Sequence, residues 1–161
     1  MQIKSEDFPN LHPGNHRGNG PQENDEDYNC IAWGAGRTRK IWDPFPQEPE
    51  EDYYWPAGVP RDYKLTSLVM AYETEGFVAF TDDGMPVAGT LEDGAEKVAL
   101  YADGDEYMHA ARQLANGKWT SKMGSGQRIE HDTPADLEGP AYGKVAKYMK
   151  RKRMADTETS P

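Results

Sequence analysis

The one cysteine of this chain, Cys30, stands in the run Asn29-Cys30-Ile31-Ala32-Trp33-Gly34. Acidic and polar residues precede it, and the residues after it read as the first turn of a buried helix. A thiol at a helix N-terminus feels the positive end of the helix dipole. That lowers its pKa and favours the thiolate, the form that attacks a carbonyl carbon. A second run, Tyr107-Met108-His109-Ala110-Ala111-Arg112-Gln113, places a histidine on a strand-like stretch. An early cysteine and a later histidine are a candidate nucleophile and base. The competing reading is that a lone cysteine in a reducing compartment is a small buried hydrophobe. A base also needs a third group that orients its imidazole and fixes the tautomer. His131, Asp132 and Gln113 are available, and spacing does not choose among them. His131 lies near a loop boundary, where an exposed or capping role fits it equally well.

The elements that must position these residues can be placed coarsely. Cys30 to Arg37 reads as a short helix, stopped by Gly34 and Gly36. Asp62 to Glu75 has Leu65, Leu68, Val69 and Tyr72 at helical spacing, and Gly76 ends it. Strands are expected at Phe77 to Thr81, closed by Asp82-Asp83-Gly84, then at Lys97 to Ala102, Glu106 to Leu114 and Lys118 to Lys122. Ala115-Asn116-Gly117 joins the last two, and Asn-Gly suits the tight turn that matches strand twist. A turn at Asn116-Gly117 sets Leu114 opposite Trp119, and puts His109, Ala111 and Gln113 on one face with Thr120 and Lys122 across from them. Ala141 to Lys152 reads as a closing helix with Val145, Tyr148 and Met149 on one face. Helices, then an antiparallel sheet, then a helix make an α+β fold.

The chain of 161 residues is long enough for one domain with a real core. The expected layout is an N-terminal arm over residues 1–26, mobile or laid on the surface, one domain over 27–153, and a disordered tail over 154–161. The formal charge of −10 disfavours nucleic acid and favours basic partners or solubility. A single cysteine excludes an intrachain disulfide and fits a reducing, cytoplasmic compartment. No signal-peptide succession and no bilayer-length apolar run is present. Metal and cofactor sites are not expected. His109, His131 and an aspartate lack zinc-ligand spacing, the glycines form no phosphate loop, and Asp82-Asp83-Gly84 and Asp103-Gly104-Asp105 lack the glutamate of a calcium loop.

Trp42 to Pro60 holds five prolines and five aromatics, which forbids a regular helix or central strand. Trp42, Tyr53, Tyr54 and Trp55 are therefore expected to pack onto the domain or onto a partner. The basic run Lys150 to Arg153 reads as the cationic end of the closing helix more readily than as a nucleic-acid patch.

Several strings, Asn29-Cys30-Ile31-Ala32-Trp33, Tyr54-Trp55-Pro56, His109 to Leu114, Gly117 to Gly124 and Tyr142-Gly143-Lys144-Val145 among them, resemble one family of uncharacterised bacterial proteins over roughly residues 27–152. A wider resemblance is to papain-like cysteine hydrolases of the NlpC type. There a cysteine opens a helix, a histidine begins a following strand, and a polar residue on the next strand orients it. The resemblance implies a papain-like arrangement with Cys30 as nucleophile. The family's base position is held here by Lys97, and His109 falls at the orienting position. Lys97 serves as a base only if burial depresses its pKa strongly.

Three functions compete at this level. One is a cysteine hydrolase or acyltransferase acting on an amide or thioester of a peptide-like or small substrate, with Cys30 attacking, His109 as base and His131 or Gln113 orienting it. Another is a non-catalytic protein-binding module using the Trp42–Trp55 segment. The third is an acidic decoy that occupies a nucleic-acid site on another protein.

Overall fold

The computed structural model describes residues 3–20, 25–80, 89–123 and 126–153. Its elements are β1 (His16–Gly18), α1 (Cys30–Gly34), β2 (Ile41–Trp42), β3 (Tyr53–Tyr54), α2 (Leu65–Glu73), β4 (Val78–Phe80), β5 (Ala95–Asp103), β6 (Glu106–Gln113), β7 (Trp119–Lys122), β8 (Arg128–His131) and β9 (Lys144–Lys152). Seven strands form one antiparallel sheet in the order β1-β8-β7-β6-β5-β9-β4, and β2 and β3 make a separate parallel pair. The fold is therefore β-rich, with two small helices, and the expected α+β, papain-like arrangement is overturned.

The largest correction is at the end of the chain. The expected closing helix at Ala141 to Lys152 is instead β9, which pairs with β5 on one side and β4 on the other. A bulge explains the misleading pattern. The register steps from Leu100–Lys147 to Tyr101–Val145, so Ala146 is an extra residue. Val145 and Tyr148, three apart, consequently pack against the same core cluster. Spacing of three on one face imitates a helix, although the backbone is extended.

Both faces of the sheet are covered. On the first, α1, α2 and the β2–β3 pair bury Trp33, Trp42, Leu68 and Tyr72 against Val98, Leu100, Ala110 and Met149. On the second, Phe8 and Leu11 of the N-terminal segment, with Leu137 and Tyr142, cover Ala99, Tyr101, Ala111, Trp119 and Ile129. α1 approaches the sheet so closely that a Cβ on Gly34 would stand 2.9 Å from the Ala110 Cβ and 2.3 Å from the Tyr72 hydroxyl. Only glycine fits there. That hydroxyl donates to the Ile31 carbonyl at 2.6 Å and fixes α2 to α1.

The β6–β7 hairpin departs from expectation by one residue. Leu114 N–H donates to the Lys118 carbonyl at 2.7 Å, and Gln113 rather than Leu114 faces Trp119. The loop is the three residues 115–117, with Gly117 at φ +89°, a geometry that favours glycine. A one-residue shift exchanges the faces of a whole strand. Thr120 and Lys122 thus share a face with Arg112, while Trp119 and Ser121 lie on the face of His109 and Gln113. The Asp82-Asp83-Gly84 turn and the tail over 154–161 lie outside the described residues. No helix among the described residues is long and apolar enough to cross a membrane.

Candidate functional site

Cys30 is the first residue of α1, as the sequence suggested. Asn29 caps that helix. Its Oδ1 accepts from the Ala32 N–H at 3.1 Å and from the Trp42 N–H at 3.1 Å, while its Nδ2 donates to the Trp42 carbonyl at 2.9 Å. One side chain therefore starts α1 and fastens it to β2. Cys30 is partly buried and packs against the core of the first face. Burial pushes its thiol up to about 11, and the backbone N–H groups of Ala110, Cys30 and Ile31 offset only part of that cost. Five residues of helix are too short for the dipole to prevail. At neutral pH Cys30 is a thiol. Its alkylation by iodoacetamide at pH 8 is expected to run about 100-fold slower in the folded protein than in urea. Equal rates in the two states would contradict the raised pKa of this thiol.

His109 lies on β6 and faces the opposite side of the sheet. Its ring stacks on Tyr142 at 3.9 Å, with 3° between the planes, and meets the edge of Tyr101 at 5.2 Å. It is fully buried, and neither ring nitrogen has a hydrogen-bond partner among the described residues. Burial, and secondarily His131, hold its pKa well below the ordinary value. The neighbouring residue, Ala110, is the one that touches the α1 side. The sheet itself therefore stands between the Cys30 thiol and the His109 imidazole, and the structure does not bring them together.

The orienting candidates are engaged elsewhere. His131 Nε2 meets the Ser121 hydroxyl at 2.8 Å, and Nδ1 meets the Thr133 carbonyl at 2.9 Å. The carbonyl requires a proton on Nδ1, so Nε2 accepts from Ser121. This serine–histidine pair is fully buried, and burial lowers the His131 pKa to about 4. Gln113 donates to the Gly89 and Gly117 carbonyls at 3.2 and 3.3 Å. Asp132 turns outward to Arg17 and Lys118. Lys97 is buried on the His109 face, where Nζ donates to the Thr90 carbonyl at 3.0 Å.

The aromatic segment forms a surface with a rigid base. Trp42 and Trp55 are buried, whereas Phe45, Tyr63 and Tyr54 are 50%, 40% and 38% exposed. Trp42 packs on Tyr54 at 4.9 Å and on Tyr72 at 6.2 Å, while Trp55 stacks on Tyr107 at 6.5 Å. Trp55 Nε1 donates to the Pro60 carbonyl at 3.1 Å, and Arg61 ties the Pro44 carbonyl at 2.8 Å. Phe45 and Tyr63 meet edge to face at 5.3 Å. Beside Tyr54 opens a pocket of about 280 Å³ lined by Trp42, Tyr54, Arg37, Arg39, Lys40 and Glu75. Arg37 is paired with Glu75 at 2.8 Å, while Arg39 and Lys40 are exposed and form no ion pair among the described residues. Sequence reasoning missed these cations. The signal was available as Arg37-Thr38-Arg39-Lys40, a basic run beside the aromatics of an acidic chain. Among the described residues no three histidine, cysteine or carboxylate side chains converge on a metal position.

No curated protein and no solved structure matches this chain. One family model does, described as a domain of unknown function (DUF7689), over residues 20–150. That span takes in α1, α2, the β2–β3 pair and all of the sheet except β1 and the end of β9, and the chain belongs to this family.

Proposed function

We propose that this domain is a binding module that engages an acidic segment of a protein partner at the pocket between Tyr54 and the Arg37–Lys40 run. The observation that carries this reading is an aromatic wall and a cationic rim on one opening, backed by buried tryptophans. A pre-set aromatic surface loses little side-chain freedom on binding, and aromatic and arginine residues dominate binding hot spots. The chain as a whole repels anions, so a local cationic patch selects the carboxylate-bearing partner against the global field. The hydrolase reading has less support, because its nucleophile and base occupy opposite faces of the sheet.

The test is a calorimetric titration with two capped peptides, one of glutamate and tyrosine and one of lysine and tyrosine. The acidic peptide is expected to bind with a salt-sensitive affinity. Arg39→Glu with Lys40→Glu should weaken it at least ten-fold without a change in Tm, as should Tyr54→Ala, although that variant also loses the packing on Trp42 and some Tm with it. Equal binding of both peptides, or binding that survives the charge reversal, would overturn the reading.

A further inference from the structure

The small parallel pair sets two runs of opposite charge side by side. The basic run Arg37 to Lys40 leads into β2, and an acidic run, Glu48 to Asp52, leads into β3. Because β2 and β3 are parallel, with Ile41 beside Tyr53 and Trp42 beside Tyr54, both runs arrive at the same end of the pair. Lys40 and Asp52 are the next residues outward in that register. Arg39, Lys40, Glu50, Glu51 and Asp52 are all exposed, and none of them forms an ion pair among the described residues. The acidic run is held in shape by a 3-10 turn over Glu50–Asp52, in which Asp52 N–H donates to the Pro49 carbonyl at 3.1 Å and Tyr53 N–H to the Glu50 carbonyl. None of its carboxylates lines the pocket of its own chain, where the one carboxylate, Glu75, is already engaged by Arg37.

A patch with both signs side by side is self-complementary. A two-fold rotation lays the acidic run of one copy on the basic run of the other, and the reverse contact forms in the same step, so the interface closes at two chains. Tyr54, part-exposed on buried Trp42, follows the acidic run and lines the pocket. It supplies an aromatic centre inside a charged rim, the usual anatomy of an interface. A run already held in its turn loses little freedom on docking. The charge of −10 on each copy opposes their approach. Charges farther apart than the Debye length, about 8 Å at physiological salt, are nonetheless screened, whereas pairs in contact are screened much less. We propose that the acidic segment taken by the Tyr54 pocket is residues 48–52 of a second copy of this chain, in a two-fold dimer. This rests on the reading of that pocket as a site for an acidic segment.

The experiment is sedimentation velocity of the full chain at physiological salt, from micromolar to near-millimolar concentration. The native sequence is expected to pass from one chain to two as concentration rises, and to go no further. Glu50→Lys with Glu51→Lys makes both runs basic, and Arg39→Glu with Lys40→Glu makes both acidic. Each pair of substitutions alone should weaken association at least ten-fold, by setting like charges against each other. An equimolar mixture of the two variants should restore the dimer, because every contact between them again joins opposite charges. That recovery also shows that both variants are folded. Excess of the glutamate and tyrosine peptide should return the native dimer to single chains. A dimer that persists in both variants, a mixture that stays monomeric, or growth beyond two chains would overturn the proposal. So would a native chain that stays monomeric throughout. In that case binding of the acidic peptide by the monomer would leave the pocket reading standing, and its absence would remove both.

Discussion

Replacing Arg151 with methionine is expected to cost about 3–5 kcal/mol and lower Tm by ~10 °C. The reason is the number of groups that converge on one guanidinium. Nε donates to Glu96 Oε1 at 2.7 Å, Nη1 to the Glu75 carbonyl at 3.0 Å and Nη2 to the Ala35 carbonyl at 3.2 Å. Ala35 is the C-cap of α1, and Glu75 lies just past the end of α2. One side chain of β9 therefore closes the negative ends of both helices and neutralises a buried carboxylate. It also lies 4.3 Å from the Phe77 ring centroid. Methionine keeps the stem and leaves Glu96 buried and unpaired. Adding Glu96→Leu should restore part of the loss by removing that orphan charge. Arg151→Lys should not restore it, since an ammonium cannot span three acceptors in a plane. Equilibrium urea unfolding of the three variants checks this. An Arg151→Met loss below about 1 kcal/mol would show that the helix ends do not depend on β9.

Acid is expected to unfold this protein through its histidines before its carboxylates. Unfolded imidazoles take up a proton near pH 6.5, whereas folded His131 does so only near 4. His109 is held well below the ordinary value too. Between these limits the unfolded chain binds more protons than the native one, so stability rises with pH. It is complete above the unfolded pKa and is lost as pH falls from 6.5 towards 4. His131 alone accounts for about 3 kcal/mol over that window. With both imidazoles neutral in the native state, the slope approaches ~2.7 kcal/mol per pH unit. The depressed carboxyls of Asp62, Glu92 and Asp132 act only in a lower window, below their usual range. His109→Phe separates the two. It preserves a ring against Tyr142, abandons no hydrogen bond to a described residue, and should halve the slope between pH 6.5 and 4. A variant with the slope of the native sequence would show that His109 is protonated in the fold.

What the sequence conveys about the site differs by element. Cys30 at a helix start, the helix expected within Asp62–Glu75 and found at Leu65–Glu73, and the central strands all follow from local patterns, because caps, periodicity and turns are local chemistry. Asp62 shows this well, since its Oδ1 receives both the Lys64 N–H and the Ser67 hydroxyl at the start of α2. Where expectation failed, the deciding feature was a single extra residue. Ala146 turned a strand into an apparent helix. The loop over 115–117 exchanged which residues of β7 share a face with His109. Neither shift leaves a mark in composition, and each reverses a conclusion about which side chains meet. The pocket beside Tyr54 was half legible. Its aromatics were conspicuous, but its cations were hidden in a chain whose total charge is negative.

The position of β9 between β5 and β4 also governs how the chain can be assembled in time. β4 is made early, yet it has no partner until a strand some seventy residues later has been synthesised. Until then β5 presents a bare edge carrying Val98 and Leu100, and the carbonyls that end α1 and α2 lack the Arg151 that closes them. Non-local pairing of this kind slows folding, because the chain between the strands must be closed before their contacts form. During synthesis the nascent chain is thus an open half-sheet, and its completion waits on the last strand of the domain.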